Sequence, residues 1–546
     1  MKTLLVHDLR QLSTAHGTSK CPILVISASG NRVTAGPLYI PGRSACHACL
    51  AHGAATAGFD KPAAEDPSAG ALEAATEIAR EISAILEGGG EAQDFYRSVC
   101  EFDLESGTRL WHPVFSRQDC ICSPGYGDTD ELTVHCSPLT GIVRSVEVTG
   151  EPFLGAHAAV CQFVSPLPMP GTRLLLRAQF AVGKGHTKQQ AVESCIGEAL
   201  ERYSLIFDGT EPLRRARLTE CGGIDPRDIL LVNERQYETR DEWNASHDAR
   251  YWVPEPFDAE QALDLVDGKS LLTGESVPVP AACCLMWFPF KPGEARIAAA
   301  DSIGCASGRT LAQATASALL EWIERDATAI WWYNRLRRPG VRSASFGSTE
   351  LTAVEKGLAA GGRQLYLLDV KTDLDISTYV AVAPRADGRE PVFAAAAHPS
   401  PAVAALKAAL EVSQICFTAA RFRDMDAEYG TWLFKTNAHN EPWLLPSRFV
   451  DAPAHIPARF KDAPAGNASE HVELCVAAMV AAGLHPVAVD QSRPDVLLKT
   501  VRAVVPGLRH IWARFAPGRL YDVPVRLNWL PEKTAEQDLN PELCML

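Results

Sequence analysis

Two short segments, SCIGEALER at residues 194–202 and SALLEWIER at residues 317–325, repeat one pattern of polar side chains. Each follows Ser-x-x-x-Glu-x-x-Glu-Arg, and nearly every other position is apolar. In an α-helix, where each residue turns by about 100°, the serine and both glutamates fall on one face. Because apolar residues cover the remaining circumference, the pattern is typical of a buried helix. The fold must therefore bury two helices that each carry a pair of carboxylates.

Buried carboxylates need positive partners, because an isolated carboxylate in an apolar environment is costly or takes up a proton. A hard divalent cation, above all Mg²⁺, satisfies two glutamates one turn apart. A third Ala/Leu-rich segment repeats the spacing with Lys407, Glu411 and Gln414. Any one of these helices alone is more typical of an exposed Glu/Lys stripe, but three copies favour one shared site. Glutamates paired with arginines purely for packing are the remaining structural alternative.

The length and charge of the chain limit its architecture and its partners. At 546 residues it predicts two to four domains. The formal net charge of -14 argues against nucleic acid or an anionic membrane as the main partner, because both attract surfaces rich in Lys and Arg. The basic runs at residues 214–217 and 335–342 are predicted to be solvated faces.

The predicted location is cytoplasmic. Residues 1–17 lack an apolar core long enough for a secretory signal, and no uninterrupted apolar run of about 18 residues follows. In that reducing compartment the 16 cysteines are expected to be buried thiols or metal ligands.

Local patterns in the first part of the chain predict a small α/β domain. Residues 21–40 and 108–115 have strand patterns, with a turn at Gly30-Asn31. A helix is predicted over residues 71–86, with one apolar side. That side comprises Leu72, Ile78, Ile82 and Ile85.

Residues 123–132 are polar and rich in turn formers, so we place the domain boundary there. The expected domains are residues 1–125 and 137–546, joined by a linker at residues 126–136. Beyond the boundary, strand and helix patterns alternate, and Asp267-Gly268 predicts a hairpin turn. This site is not a phosphate loop, because Leu263 stands where that motif requires glycine, and the strands of the first domain lack G-x-G-x-x-G.

Four segments together resemble the YcaO family, specifically its members that modify ribosomally made peptides. The segments are residues 183–204, 301–332, 407–414 and 504–530. The resemblance implies an α/β (α+β) fold in which mixed sheets surround buried helices, and a nucleotide site where glutamates from several helices hold ATP through Mg²⁺.

The resemblance also implies a role for each matching residue. The expected Mg²⁺ ligands are Glu198, Glu201, Glu321 and Glu324. Glu411 and Gln414 would complete the ATP site. The expected contacts to nucleotide or phosphate are Lys184, Ser194, Arg202, Arg325 and, as a weaker candidate, Lys407. Glu201, Glu324 and Arg325 form the expected catalytic set.

The azoline-forming members of that family activate a backbone amide. A Cys, Ser or Thr side chain of the peptide attacks the preceding carbonyl, the oxyanion takes the γ-phosphoryl group of ATP, and loss of phosphate leaves a thiazoline or oxazoline. Phosphoryl transfer needs positioning and charge neutralisation, which carboxylate-held Mg²⁺ and arginines supply. The chain departs from the family at Ser302-Ile303-Gly304, where Ser-Asn-Gly is common, and at residues 540–546, where a Pro-x-Pro-rich tail is usual.

Residues 35–50 resemble a short ThiF-like domain found with cyclodehydratases, which implies a structural zinc held by two Cys-x-x-Cys pairs. Here Cys46 and Cys49 keep that spacing, whereas Cys120 and Cys122 are one residue short. His47 or Cys136 is an alternative ligand, and unpaired buried thiols are the alternative to a metal site. Without an adenylation loop, we expect this domain to be a scaffold that docks the substrate or a partner.

The leading hypothesis is an ATP- and Mg²⁺-dependent peptide cyclodehydratase. Its partners would be a precursor peptide and a separate leader-binding protein. Backbone thioamidation, macroamidine formation and a non-catalytic precursor-binding scaffold are the alternatives. The precursor, the ring type and the oligomeric state, including a homodimer, stay open.

Overall fold

The structure is a computed structural model that describes most of the chain. The described residues are 2–6, 8–9, 12, 22–41, 43–58, 65–120, 122, 131–166, 179–247, 251–421, 432–433, 435–453 and 467–544. Residues 126–130 of the predicted linker and residues 545–546 of the predicted tail lie outside them.

The first five strands form one sheet in chain order, with β1 parallel to β2 and the others antiparallel. These strands are β1 Lys2–Val6, β2 Ile23–Ser29, β3 Arg32–Tyr39, β4 Ser98–Asp103 and β5 Arg109–Pro113. Helix α1 (His47–Gly58) covers one face and α2 (Ala69–Glu87) covers the other. Because successive strand residues point to opposite faces, Ile23 packs with α1 while Leu24 packs with α2.

Three more sheets build the rest of the described chain. An antiparallel sheet contains β6 Val143–Val148, β7 His157–Phe163 and β8 Gln179–Gly185. A six-stranded sheet, ordered β11-β10-β18-β19-β12 with β9 beside β10, contains β9 Arg214–Ala216, β10 Leu263–Ser270, β11 Ser276–Pro280, β12 Cys305–Gly308, β18 Val487–Asp490 and β19 Lys499–Val504. The last, ordered β16-β15-β14-β13-β17, contains β13 Gly340–Val341, β14 Tyr366–Asp369, β15 Ser377–Ala383, β16 Val392–His398 and β17 Phe449–Val450.

Long and short helices connect these strands. The short ones are α4 Leu218–Cys221, α5 Pro226–Leu230, α6 Glu234–Glu238, α7 Arg240–Ser246 and α8 Ala281–Cys284. The longer ones are α3 Lys188–Leu205, α9 Leu311–Tyr333, α10 Thr349–Ala360, α11 Pro401–Arg421, α12 Ala468–Ala481 and α13 Arg519–Arg526. The predicted α/β (α+β) class is confirmed.

The three helices that carry the repeated polar pattern bridge the three sheets in turn. Helix α3 packs on β7 and β8 and also contacts β12 and β19. Helix α9 packs on β12 and β19 and reaches β15 and β16, and α11 packs on β15 and β16 and reaches β8. Each helix therefore lies between two sheets, which explains why apolar residues surround the polar side chains of its repeated pattern.

Two details of the predicted fold are wrong. Asp267-Gly268 is not a turn, because both residues lie inside β10, where Gly268 pairs with Val277. On α2 the buried line is Ala71, Ala75 and Ile82, whereas Leu72 and Ile85 are exposed. The sheet covers a narrower arc of this helix than its apolar residues suggest.

Among the residues that the structure describes, one helix is long and apolar enough, over Pro401–Ala419 of α11, to cross a membrane by length and composition. It also carries the polar ridge of Lys407, Glu411 and Gln414. Its alanines, from Ala404 onward, pack against the strands of the last sheet. These contacts are typical of a core helix in a globular protein.

Candidate nucleotide site and cysteine cluster

Helices α3 and α9 begin with the same local structure. Thr187 caps α3 by accepting from the backbone N–H of Gln190, and Thr310 caps α9 by accepting from Gln313. Each cap follows a strand that ends in glycine. A Cβ on Gly185 or Gly308 would lie under 3 Å from the first turn of the following helix. The sequence repeat therefore extends into a whole strand-turn-helix unit, a signal that the nine-residue pattern alone did not reveal.

The glutamates of both helices are tied to one backbone segment, which includes β12. Glu201 accepts a hydrogen bond from the Ser307 N–H at 2.9 Å, and Glu321 accepts one from the Gly304 N–H at 3.0 Å. Gly304 has a φ of 76°, and a Cβ there would lie 2.1 Å from Nε1 of Trp322. Only glycine fits this position, so the segment presents its N–H groups to both helices.

Basic side chains stand beside the other carboxylates. Arg202 donates to Glu198 at 2.7 Å. Arg325 lies 3.3 Å from Glu321 and 3.1 Å from Glu324. Each arginine therefore pairs with glutamates of its own helix.

Lys184 connects the third helix to the site. It lies on β8 and forms an ion pair with Glu411 of α11. Nε of Arg325 is buried and has no hydrogen-bond partner within the described residues, so it is a donor available to a ligand.

The pKa shifts show that this site holds more buried charge than it neutralises. Burial, with Glu198 and Glu321 nearby, raises the pKa of Glu201 well above its usual range. Burial raises the pKa of Glu321 to about 7 despite Arg325, and that of Glu324 also rises. Burial lowers the pKa of Lys184 to about 8. The same electrostatic neighbours span α3, α9 and β8, so the charged ends lie within one cleft.

Lys407 and Gln414 also lie near these residues, whereas Ser194 does not contact them. Lys407 is exposed and lies near enough to Glu324 to influence its pKa. Gln414 donates through its side-chain amide to the Val182 carbonyl at 3.2 Å. Ser194 is exposed, and its side chain makes no hydrogen bond within the described part of the chain. The structure thus brings most of the predicted residues together, but Ser194 stands apart from these contacts.

A half-buried polar group that supports the cleft was not predicted from the sequence. Asp301 accepts from Nε2 of His510 at 2.9 Å and from Nε1 of Trp512 at 2.6 Å. Burial alone would raise the pKa of Asp301, but His510 and Arg502 hold it below its usual range. Because Arg502 also donates to the Ile303 carbonyl, this group fixes the backbone that presents Gly304. The partners are about 200 residues apart, so no local pattern marks them.

The donor set fits Mg²⁺ and a phosphate-bearing ligand. Carboxylate oxygens are the ligands that Mg²⁺ prefers, and a divalent cation offsets the charge that raises these pKa values. Among the described residues, no three of these carboxylates bring oxygens within 4.8 Å of one another. A single all-protein cage is therefore absent from that part of the chain, which suits an ion held partly by phosphate and water.

The four cysteines of the N-terminal part form a compact cluster. All four are buried, and their Sγ atoms lie within 4.8 Å of one another. Sγ of Cys46 is 3.6 Å from that of Cys120, and Sγ of Cys49 is 3.6 Å from that of Cys122. A tetrahedral site with Zn–S bonds of about 2.3 Å has edges of about 3.8 Å, so the donors fit zinc. The shortened Cys-x-Cys spacing does not prevent this, and neither His47 nor Cys136 belongs to the cluster.

A buried polar link joins this N-terminal part to α3. Asp495 accepts from Tyr203 of α3 at 2.7 Å and contacts Nε2 of His52 in α1 at 2.9 Å. Arg493 stands beside Asp495, with its guanidinium 5.1 Å from the Tyr203 ring centre. The part of the chain that contains the four-cysteine cluster is therefore connected to helix α3 through one aspartate.

Comparison with known proteins gives consistent matches. A family model described as YcaO cyclodehydratase, ATP- and Mg²⁺-binding, matches residues 182–509. A solved heterocyclase in complex with substrate and cofactor superposes with a TM-score of 0.85 at 28% identity, over 99% of this chain and 80% of its own. The heterocyclase TruD gives a TM-score of 0.71 at 28% identity, over 96% of this chain and 76% of its own.

One sequence relative is an uncharacterised protein of Methanothermobacter thermautotrophicus. It is 26% identical over 281 residues, which are 50% of this chain and 65% of the relative. The chain therefore spans slightly less than two thirds of that relative's length.

Proposed function

Because this chain belongs to the YcaO cyclodehydratase family, we propose that it uses ATP and Mg²⁺ to form thiazoline or oxazoline rings in a ribosomally made precursor peptide. The observation that carries this proposal is the cleft in which glutamates of α3 and α9 lie near Lys184, Glu411 and Arg325. The Nε of Arg325 has no hydrogen-bond partner within the described residues. Its carboxylates suit Mg²⁺, and its basic groups suit phosphate. The two heterocyclase structures that resemble the chain support the same activity.

In the proposed mechanism, the residues of the cleft position ATP and neutralise charge. Glu198, Glu201, Glu321 and Glu324 would hold Mg²⁺, which supplies charge neutralisation on the phosphates when bound. Arg325, with its unused Nε, and Lys184 would face the phosphate oxygens. The thiol or hydroxyl group of the peptide side chain would lose its proton as it attacks the preceding carbonyl carbon and closes the ring, and the amide oxygen would take the γ-phosphoryl group with release of ADP. Departure of phosphate from that carbon, with loss of the amide proton, would then form the C=N bond of the azoline.

The mass of the peptide tests this proposal. We would incubate the protein, a candidate precursor and a leader-binding partner with ATP and Mg²⁺. Loss of one water per modified residue, together with one ADP and one phosphate, is expected. A gain of sulfur in place of oxygen would indicate thioamidation, and water loss with an internal amine cross-link would indicate a macroamidine. Unchanged peptide and unchanged ATP would favour a non-catalytic scaffold and overturn the proposal.

The variant Glu324→Gln tests the cleft in the same experiment, and Glu350→Gln is its matched control. It keeps the size of the side chain but removes a carboxylate paired with Arg325. We expect ATP hydrolysis and ring formation to be lost together. Glu350→Gln, at an exposed position in α10, should retain both.

We extend the proposal to the organisation of the chain. Residues 1–125 would be a ThiF-like scaffold with structural zinc at Cys46, Cys49, Cys120 and Cys122, and residues 137–546 would be the catalytic domain. A separate leader-binding protein would deliver the precursor, in the cytoplasm. The buried sulfur cluster and the link through Asp495 support a scaffold fixed to the catalytic helices.

A further inference from the structure

An arginine-lined cavity of about 420 Å³ lies at the far end of α9 from its N-terminal cap. Three chain segments form it: the turn after α9, the residues before β17 and the loop after α13. Its lining includes Arg335, Arg337, Arg338, Arg448 and Trp529. Arg325 and Arg335 are ten residues apart along α9 and its end, or about 15 Å, so the cavity is separate from the nucleotide cleft.

Four arginines line this cavity, Arg335, Arg337, Arg338 and Arg448. Within the described residues, no acidic side chain lies within 4.0 Å of any of the four guanidinium groups. The contrast is Arg342, a few residues later, which pairs with Asp451 at 3.0 Å. Of the four arginines in residues 335–342, the basic run that the sequence predicts to be a solvated face, three are therefore unpaired within the described residues and Arg342 is paired. An unpaired group of like charges around a concave surface favours an anionic ligand.

Arg338 gives the clearest indication of a ligand. Its Nε donates to the Asp369 carbonyl at 2.9 Å, and its guanidinium carbon lies 3.7 Å from the ring centre of Trp529. These contacts fix the plane of the guanidinium, while its terminal nitrogens have no partner within the described chain. Burial lowers the pKa of Arg338 to about 10, which means that its charge is poorly compensated. An acceptor with two oxygens, such as a carboxylate, matches this fixed fork.

The walls of the cavity distinguish a peptide from other anions. Leu336, Pro339 and Leu530 stand beside the arginines. This cavity has room for only a few side chains. A polynucleotide would therefore leave most of its phosphates outside the cavity, facing a chain with a net charge of -14. Carboxylates flanked by an apolar residue satisfy both the arginines and the walls.

We propose that this cavity binds an acidic peptide segment, with two or more carboxylates on the arginines and an apolar side chain against Trp529 and Leu530. The further statement that this segment belongs to the precursor rests on the function proposed above. The cavity would then hold a part of the precursor at least about 15 Å from the reacting residue, which is about five extended residues.

Fluorescence anisotropy with a defined probe tests the site. The probe is the labelled octapeptide GELEELEG, and the comparison peptide is GQLQQLQG. We expect the full-length protein to bind the first and not the second, with weaker binding as salt rises. The variant R337Q/R448Q should weaken binding by about tenfold, because it removes two exposed charges. Arg338 is left intact because it packs on Trp529.

The control R43Q/R235Q makes the same charge change at two arginines that are 66% and 68% exposed and lie elsewhere. It should bind the probe like the native protein. The proposal is overturned if neither peptide binds, if both bind equally, if both double variants have the same affinity, or if a dT octamer displaces the probe at lower concentration than unlabelled GELEELEG.

Binding of Mg²⁺ and ATP, measured on the same samples, separates this result from the proposed function. Loss of probe binding with unchanged ATP binding concerns the cavity alone. If the precursor gains no rings while the probe still binds, the proposed function fails and the cavity proposal stands.

Discussion

Glu201 has the least neutralised carboxylate of the four candidate Mg²⁺ ligands. It accepts one backbone N–H, from Ser307, and forms no ion pair within the described residues. The change Glu201→Gln keeps an oxygen for that N–H and removes the charge. We expect the ligand-free variant to be as stable as the native protein or more stable, because burial raises the pKa of Glu201 and makes its ionised form costly, whereas glutamine has no ionised form. Binding of ATP with Mg²⁺ should weaken at least tenfold, or about 1.4 kcal/mol.

Calorimetric titration with ATP and Mg²⁺, together with thermal unfolding without ligand, checks this expectation. Glu193→Gln is the matched control, because Glu193 is exposed on the same helix and bonds only Gln189 within it. If Glu201→Gln binds ATP with Mg²⁺ as tightly as the native protein does, Glu201 is not a ligand of the metal.

The raised pKa of Glu321 predicts that the stability of the metal-free protein falls as pH rises. Burial raises its pKa to about 7 in the folded protein, while in the unfolded chain a glutamate has a pKa of about 4.3. Between these values the folded protein holds a proton that the unfolded chain has released, so stability falls as pH rises through this window. Relative to Glu321→Gln, the native protein should lose about 2 kcal/mol between pH 5.5 and 7.5 without metal.

Urea unfolding of both proteins in a chelator measures that difference. Added Mg²⁺ should reduce the loss at pH 7.5, because Mg²⁺ binds the ionised carboxylate. The same difference in unfolding free energy at both pH values would show that Glu321 does not titrate in this range.

At the scale of elements, the conformation at Gly304 determines whether the segment before α9 can donate hydrogen bonds to glutamates of both α3 and α9. In Gly304→Ala the new methyl group would meet Trp322, in addition to the strain of a positive φ. Gly362→Ala has the same φ of 76° but meets nothing within 4 Å. We expect the control to lose about 1 kcal/mol and Gly304→Ala to lose at least about 3 kcal/mol, with loss of ATP hydrolysis. Equal unfolding free energies for the two variants would contradict this account.

The geometry of the cysteine cluster predicts that the protein holds zinc and that zinc binding requires all four thiols. Cys122→Ser replaces one of four converging thiols, so we expect zinc content to fall from one per chain toward zero and thermal stability to drop. Cys136→Ser changes a half-buried cysteine outside the cluster and should retain zinc. Elemental analysis of both proteins, purified in parallel, is the measurement. Zinc retained in Cys122→Ser but lost in Cys136→Ser would favour Cys136 as the ligand.

Elements with strong local signals were predictable, and those decided by distant contacts were not. The helices at residues 188–205 and 311–333 show their buried character and polar ridge directly in the sequence. Asp267-Gly268 has the local chemistry of a turn, but pairing with Val277 keeps it within a strand. The aspartate-histidine contact between Asp301 and His510 joins two segments about 200 residues apart, which only the fold brings together.

At the scale of the whole molecule, Asp495 couples helix α1 of the N-terminal part to helix α3. Its carboxylate is buried, and although burial alone would raise its pKa, His52, Arg493 and Tyr203 hold that pKa below its usual range. Tyr203 lies two residues after Glu201, so the position of α3 depends on this contact. The change Asp495→Asn keeps the shape but leaves Arg493 and its neighbours without this negative charge. Arg493 keeps its ion pair with Asp208, so the loss falls mainly on the hydrogen bonds from Tyr203 and His52. We expect a loss of about 2 kcal/mol in unfolding free energy, as for hydrogen bonds to a charged group.

If the link positions α3, Asp495→Asn should also weaken binding of ATP with Mg²⁺ severalfold, although Asp495 does not belong to the nucleotide cleft. Glu91→Gln, which removes a half-exposed partner of Arg43, should change neither quantity because exposed ion pairs contribute little. Urea unfolding and calorimetric titration on the same samples give both values. Lower stability with unchanged ATP affinity would mean that the N-terminal sheet supports the fold without positioning the catalytic helix. A loss of both, absent from Glu91→Gln, would establish that the scaffold and the nucleotide cleft act as one unit.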